Sequence, residues 1–344
     1  MSFVIPPHRR GPIEDVLEAL APAKRVLLTT HLNADGDGTG SEVAAAGWLR
    51  AQGKEVWIVN PTPYPESFQF LLTLPDFCID PGSSRAKEVA QTADLAMVLD
   101  TGEVPRIGRV MELIEHLPRI VVDHHPLGPD PIPGVSFRDE EASATGELLF
   151  DLFSSTPTGL SSEVALGLYV AILTDTGSFR FSNASPRAHR VVAELLEKGV
   201  DPEGTHRRVY GNHPHKRFKL LHASLGELEV DPQGDLAWMT VPTEVFETLS
   251  ATPDDLDGLV DYPREIRGVE VGVLFRETAK GGTKVSFRSN GEVDVNALAR
   301  QFGGGGHKKA AGAMVERPLE EVRIEVLEAT RGAIRSSSDE EEQF

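Results

Sequence analysis

Short, unbroken apolar runs alternate with longer segments of mixed polarity through the first half of the chain. Ala96 to Leu99 and Ile120 to Val122 contain no polar position, as expected of parallel strands covered on both faces. Each of these runs stops at an acidic residue, Asp100 and Asp123. Arg25 to Thr30 reads as a strand from its apolar and β-branched content, and Lys54 to Val59 starts another. Between them, Gly40 to Ala51 has the small and apolar residues of a helix packed on a sheet. Further helices are predicted over Ala144 to Phe153, Ser162 to Leu173 and Pro186 to Lys198, the last opening with Ser185 as cap and proline at the first helical position. The alternation implies an α/β domain: a mostly parallel sheet with helices on both faces.

From Thr205 to Lys219 the chain turns basic and histidine-rich, with Pro214 as a breaker, and this stretch is read as the connection between domains. Beyond it Leu236 to Val241, Val269 to Phe275, Lys284 to Arg288 and Ala313 to Val315 read as strands. Val295 to Phe302 reads as a helix stopped by Gly303, and Leu319 to Arg331 as a final helix. A chain of 344 residues has room for two domains with separate cores. The expected division is a first domain over 1–204, a linker over 205–219, a smaller α/β domain with a mixed sheet over 220–333, and an acidic tail over 334–344. Ser336 to Glu342 in that tail reads Ser-Ser-Ser-Asp-Glu-Glu-Glu, which cannot bury itself and is expected to be disordered.

The formal net charge of −19 argues against a broad basic surface for long duplex DNA, whose binding leans on many phosphate contacts. Short or small phosphorylated substrates fit better. No apolar stretch reaches the roughly 18 residues of a membrane span, and Met1 to Arg10 lacks the apolar core of a secretory signal, so a cytoplasmic protein with no membrane partner is expected. Cys78 is the single cysteine. That excludes an internal disulfide and a thiolate metal cage and fits a reducing compartment. Its expected role is packing near Phe77 and Ile79.

Polar residues concentrate where the apolar runs end. In Thr30-His-Leu-Asn-Ala-Asp-Gly-Asp-Gly38, the residues His31, Asn33, Asp35 and Asp37 alternate with small or apolar ones, so an extended chain would aim all four the same way, with Gly36 and Gly38 allowing a turn before the helix. A calcium loop of the EF-hand kind also alternates acids, but it ends in a glutamate between two helices, whereas here a strand precedes. Asp100, Asp123-His124-His125 and Asp175 lie at the ends of other segments. In an open α/β sheet the ends of parallel strands converge on one crevice. Four ligand carboxylates gathered there (Asp35, Asp37, Asp100, Asp175) would resist ionisation unless cations balanced them, which argues for a dinuclear metal centre. Mixed oxygen and imidazole donors suit two Mn²⁺ ions, with Mg²⁺ or Co²⁺ as substitutes.

His31-Leu-Asn-Ala-Asp-Gly-Asp-Gly, Val98-Leu-Asp-Thr, Asp123-His124-His125 and Leu173-Thr-Asp-Thr-Gly resemble, in order, the four motifs of the DHH phosphoesterases. Lys284-Val-Ser-Phe-Arg-Ser289, Asp294 to Phe302 and Gly303-Gly-Gly-Gly-His307-Lys-Lys-Ala-Ala-Gly312 resemble the substrate-binding DHHA1 domain of that family. In length and domain order the chain is similar to the NrnA-type oligoribonucleases, also described as nanoRNases and phosphoadenosine phosphate phosphatases. The resemblance implies that His31, Asp35 and Asp100 hold one metal and that Asp37, Asp100, His124 and Asp175 hold the other, with Asp100 bridging. It implies a catalytic role for His125 beside the scissile phosphate. Asp123 would orient a histidine by hydrogen bond, and Asn33 would position the nucleophilic water or a phosphate oxygen. Ala34 stands where family members often carry proline, at a position that supplies no ligand.

Gly303 to Gly306 offers backbone N–H groups with little steric hindrance, and His307, Lys308 and Lys309 follow, which suits an anionic phosphate. The same glycines fit a helix C-terminal cap and turn. Ser286, Arg288, Gly304, Gly305, Gly306 and His307 are the expected substrate-binding residues, with Arg288 as the bidentate fork on a terminal phosphate. The active site would then lie in the interdomain cleft. The basic residues His206, Arg207, Arg208, Lys216, Arg217 and Lys219 either touch the substrate backbone or are a solvated linker. The expected activity is manganese-dependent hydrolysis of short single-stranded RNA or DNA to mononucleotides, with phosphoadenosine phosphate among the small substrates, and a homodimer is among the assemblies considered. The alternatives are a phosphodiesterase for linear or cyclic dinucleotides such as pApA and c-di-AMP, a RecJ-like single-strand exonuclease, a pyrophosphatase or exopolyphosphatase, and a non-catalytic nucleotide-binding module.

Overall fold

The computed structural model describes residues 4–73, 78–256 and 258–341. Two compact units divide the chain, Met1–Asn212 and His213–Phe344. The first is built on six parallel strands: β1 (Arg25–Thr29), β2 (Glu55–Val59), β3 (Cys78–Ile79), β4 (Leu95–Leu99), β5 (Arg119–Asp123) and β6 (Val135–Arg138), in the spatial order β3-β2-β1-β4-β5-β6. The order reverses between β1 and β4, and there the carboxyl ends of strands open a crevice. Along β1, Val26 and Leu28 enter one core with Trp48, Leu149 and Phe153, while Leu27 enters a second with Val89, Ile107 and Val110. Period-two alternation therefore feeds both faces, each covered by helices.

Helix Gly36–Ala51 crosses helix Ser162–Asp175 on one of those faces. Close approach is possible because glycines meet there: a Cβ on Gly40 would lie 2.4 Å from the Gly167 carbonyl oxygen, and one on Gly167 would lie 2.6 Å from that of Gly40. This crossing matters for chemistry, since the two helices carry Asp37 and Asp175. A further helix, Pro7–Leu20, inserts Arg9 into a pocket where it donates to Asp139, Glu147 and Asp151 at 2.6–2.8 Å. No sequence signal had marked that helix.

The second unit contains β7 (Leu228–Val230), β8 (Leu236–Val241), β9 (Val271–Glu277), β10 (Thr283–Ser289), β11 (Gly305–His307) and β12 (Ala310–Val315) in the order β11-β12-β10-β9-β8-β7. Only β8 and β9 run parallel among these pairs. Helices Val295–Gln301 and Leu319–Glu341 share its main core.

The boundary between the units, Asn212 to His213, falls within the expected connection over 205–219, which is itself mostly helical, within Pro202–Tyr210 and His215–Gly226, because Asp201 caps the first helix through the Gly204 N–H and Pro214 opens the second. Three expectations need correction. The acidic tail continues helix Leu319–Glu341 instead of being disordered, extending a helix already anchored by Val322, Val326 and Ile334 in the core; residues 342–344 lie outside the described residues. Gly36 and Gly38 are the first turn of their helix, not a turn before it, since Asp35 is its N-cap and accepts from the N–H groups of Asp37 and Gly38. Gly305–His307 is an edge strand, paired with β12 in place of a free loop. Cys78 packs against the core from β3, while Phe77 lies outside the described residues.

Because the obstruction at Gly40 is backbone, Gly40→Ala is expected to destabilise the cation-free protein by about 1–3 kcal/mol or more, the usual cost of overpacking. Gly11→Ala, where an added Cβ meets nothing within 4 Å, is the helix-interior control. Equal urea midpoints for the two variants would refute the close-packing account.

Candidate metal centre

Three strand ends supply most of the site. The chain leaves β1 into His31, then reaches Asp35 as N-cap and Asp37 in the first helical turn; β4 ends at Asp100, and β5 runs into Asp123, His124 and His125. Asp175 comes from the last residue of helix Ser162–Asp175. Asp100 adopts φ 61°, a left-handed conformation that aspartate tolerates better than most residues. All six expected ligands are brought together. His31, Asp35 and Asp100 form one group and Asp37, His124 and Asp175 another, the ligand atoms of each lying within 4.8 Å of one another.

The histidines are set up as ligands by their other ring nitrogens. His31 Nδ1 lies 2.9 Å from the Leu32 carbonyl and His124 Nδ1 3.2 Å from the Ala142 carbonyl. An N–H at each Nδ1 leaves the Nε2 lone pair facing the acids. His31 Nε2 is 3.3 Å from Asp100 Oδ2 and 3.8 Å from Asp35 Oδ1, and as a buried atom it has no hydrogen-bond partner. His124 Nε2 lies 3.6 Å from Asp37 Oδ2, 3.7 Å from Asp100 Oδ1 and 3.6 Å from Asp175 Oδ2. Separations above about 3.5 Å are too long for hydrogen bonds. They suit donors that each sit about 2 Å from a shared cation. The two oxygens of Asp100 thus face different histidines, Oδ2 toward His31 and Oδ1 toward His124.

Without cations the electrostatics are unfavourable. Burial, then the neighbouring Asp37 and Asp35 carboxylates, push Asp100 well above the usual carboxylate range, and the same causes raise Asp175. Burial opposes charge on His31, but the Asp100 and Asp35 carboxylates outweigh it and raise the imidazole to about 10. The donor set thus fits divalent cations.

Asp123 and Asn33 stand differently. Asp123 Oδ1 accepts from the His125 backbone N–H at 3.1 Å and lies 2.8 Å from His125 Nδ1, and Arg138 approaches its Oδ2 at 3.5 Å while donating to the His125 carbonyl. Burial, offset by Asp123, and the adjacent His124 lower the His125 pKa. Asn33 is exposed at φ 53°, with its backbone N–H bonded to Thr62 Oγ1. The alternation reading fails because His31 to Asp37 is a turn and a helix start, not an extended strand.

In the second unit, Ser286, Gly312 and Gly305 are in register across β10, β12 and β11, as are Arg288, Ala310 and His307. Register across neighbouring strands puts these side chains on one face. Lys284 and Arg288 flank Ser286 on the less buried positions of β10. Arg288 Nη1 donates to the Phe287 carbonyl, and its Nε is 3.8 Å from Asp261 Oδ1. Gly304 precedes β11 and Gly306 pairs with Ala311.

The profile of the DHH family, N-terminal domain, matches residues 25–172, and that of the DHHA1 domain matches residues 242–336. The chain belongs to the DHH family. It is 32% identical over 93% of its length to the bifunctional oligoribonuclease and PAP phosphatase NrnA of Thermus thermophilus, covering 92% of that protein. It is 25% identical to the protein of the same name from Bacillus subtilis, over 88% of this chain and 92% of that one. Among solved structures, an exopolyphosphatase-related protein of Bacteroides fragilis superposes with TM-score 0.87 at 26% identity, covering 96% of this chain and 97% of that one. RecJ of Thermus thermophilus in complex with Mn²⁺ shares the fold at TM-score 0.56 and 19% identity, over 95% of this chain and 56% of that one. Among the described residues no helix is long and apolar enough to cross a membrane.

Sequence reading missed the residues that hold these DHH-family candidate ligands in place. Asn183 donates to Asp175 Oδ2 at 3.3 Å, and the N–H groups of Thr145 and Gly146 donate to Asp37 at 2.7 and 3.0 Å. A helix start at Thr145 without a capping side chain on Ala144 was the available signal. Behind the site, Asn60 accepts from the Thr30 N–H and donates to Glu42 at 2.9 Å. Burial raises Glu42 to about 8 from an ordinary 4.5, with the Asn60 bond opposing. The folded protein then holds a proton that the unfolded chain releases near pH 4.5. That contribution is complete below pH 4.5 and disappears as pH rises through about 8. Glu42→Gln, measured by thermal melting in chelator, should therefore gain on the wild type by at least about 3 °C between pH 5 and 8. A pH-independent difference would mean that Glu42 is ionised when folded.

Proposed function

We propose that this chain hydrolyses short oligonucleotides to mononucleotides and releases the 3′ phosphate of phosphoadenosine phosphate, with manganese as its metal. The broader class, a phosphoester hydrolase of the DHH family, follows from its relatives. One observation carries the finer reading: two imidazole Nε2 atoms and four carboxylates converge near the strand ends, with the two oxygens of Asp100 3.3 Å from His31 and 3.7 Å from His124. Two histidine donors favour Mn²⁺ over Mg²⁺. Divalent cations held there supply the charge that neutralises phosphoryl oxygens and acidifies water.

The chain's own residues do the remaining work. His125, with Nδ1 facing Asp123, carries its exchangeable proton on Nε2. Only the imidazolium form has a proton there to give to a leaving oxygen, and the lowered pKa makes that form a stronger acid while reducing its share. On the second unit, Arg288 offers a planar fork to a terminal phosphate, and Ser286 and His307 share its face. Small residues at 310 and 312 and the glycines of β11 keep that face low. A site that grips an end phosphate suits short substrates and small nucleotides, in keeping with the net charge of −19.

Labelled RNA and DNA of two to twenty nucleotides, phosphoadenosine phosphate, cyclic and linear dinucleotides and pyrophosphate, each incubated with the protein and Mn²⁺, test the substrate reading. Turnover confined to pyrophosphate or to cyclic dinucleotides overturns it. Asp100→Ala should abolish turnover and lower metal content, and normal manganese-dependent activity in that variant would break the ligand assignment. His125→Ala should retain metal and lose about 10²–10⁴-fold in kcat. Loss of both metals instead would make it a ligand. Arg288→Ala should raise KM about tenfold or more for substrates ending in phosphate, with kcat nearly unchanged. Equal effects on phosphodiesters lacking a terminal phosphate would remove it from the clamp.

A further inference from the structure

We propose that Thr145 is a positioning residue of the metal centre, holding Asp37 and Asp100 in their ligand orientations before any cation arrives. The inference rests on reading the site as a dinuclear centre and adds a residue outside the ligand set. Helix Thr145–Ser154 begins after Ala144, whose methyl side chain accepts nothing. The first N–H groups of a helix require acceptors. Asp37, from another helix, provides them: the Thr145 N–H donates to its Oδ2 at 2.7 Å and the Gly146 N–H to its Oδ1 at 3.0 Å. A carboxylate at a helix N-terminus is also favoured by the helix dipole. Ser41 Oγ adds a bond to Oδ1 at 3.2 Å, so Oδ2 keeps a lone pair, and this is the oxygen nearest His124 Nε2.

The same residue reaches the bridge. Thr145 Oγ1 donates to Asp100 Oδ1 at 3.0 Å, and Thr145 is fully buried, so water does not compete. With Oδ1 held, the carboxylate plane is set and Oδ2 is turned toward His31. The turn that carries Thr145 is itself pinned. The Ser143 N–H and Oγ donate to Glu147 Oε2 at 3.1 and 2.8 Å, and Arg9 donates to Glu147 Oε1 at 2.8 Å. The Ser143 carbonyl accepts from Asn183, which also bonds Asp175. One short segment thus touches three of the four ligand carboxylates directly or through one side chain, while the Ala142 carbonyl faces His124 Nδ1.

Thr145→Val removes the hydroxyl and keeps the shape; Thr145→Ser keeps the hydroxyl. Chelator-stripped full-length proteins titrated with Mn²⁺, with binding followed by calorimetry, should show about 10–100-fold weaker affinity in the valine variant, the usual loss for an outer-shell partner of a metal ligand. The serine variant should keep close to wild-type affinity, and the stripped valine variant should melt below stripped wild type by only the few degrees that one lost buried hydrogen bond costs. Should the valine variant fail to fold, Thr145→Ala carries the same comparison. Unchanged affinity in the valine or alanine variant, equal loss in the serine variant, or a lowered melting point with unchanged affinity overturns the role of Thr145. A wild type that binds no Mn²⁺ overturns the dinuclear reading beneath it.

Discussion

Mutual repulsion among the buried or half-buried carboxylates of Asp37, Asp100 and Asp175, with the exposed Asp35 beside them, is the constraint that shapes the first unit. Asp37, Asp100 and Asp175 lie close enough that burial and their neighbours raise the last two far above ordinary carboxylates. Such a cluster persists only if its surroundings hold it and positive charge compensates it. The surroundings here include backbone N–H groups of a helix start, a threonine hydroxyl, an asparagine amide and two imidazoles oriented by carbonyls. None of these supplies full compensating charge. The remaining deficit is the physical reason the donor set fits divalent cations.

Topology then decides where this deficit sits. The parallel sheet reverses its winding between β1 and β4, and the ends of β1, β4 and β5 diverge into the crevice that such a reversal leaves. Asp175 arrives by a different route, on a helix brought close by the Gly40–Gly167 crossing. The fold and the ligand set are therefore coupled through packing. A methyl group at that crossing presses on both Asp37 and Asp175 through their helices.

The second unit solves a simpler problem. Three antiparallel strands, two of them rich in small residues, present Ser286, Arg288 and His307 in register on one face. The pleat places them by strand periodicity alone, without buried charge. An edge strand of glycines keeps its outer backbone groups available, where a bulkier edge would cover them.

The sequence by itself determined a good deal: the apolar runs of β4 and β5, the acids that end them, the helices starting at Ser162 and Pro186, and the six residues that converge on the candidate metal centre. These signals are local, since burial on both faces leaves an unbroken apolar run and a cap lies within a few residues of its helix. Only the tertiary structure decided which groups support the ligands. Thr145, Asn183, Glu42 and Asn60 act on residues far from them in the chain, and hydrogen bonds across such separations leave no periodic trace. The local conformation of this segment was decided in the same way: the alternation of His31, Asn33 and Asp35 implied an extended chain, but capping by Asp35 starts the helix at Gly36. The helical continuation through Ser336 was likewise decided by distant contacts, because Val322, Val326 and Ile334 found a core to join.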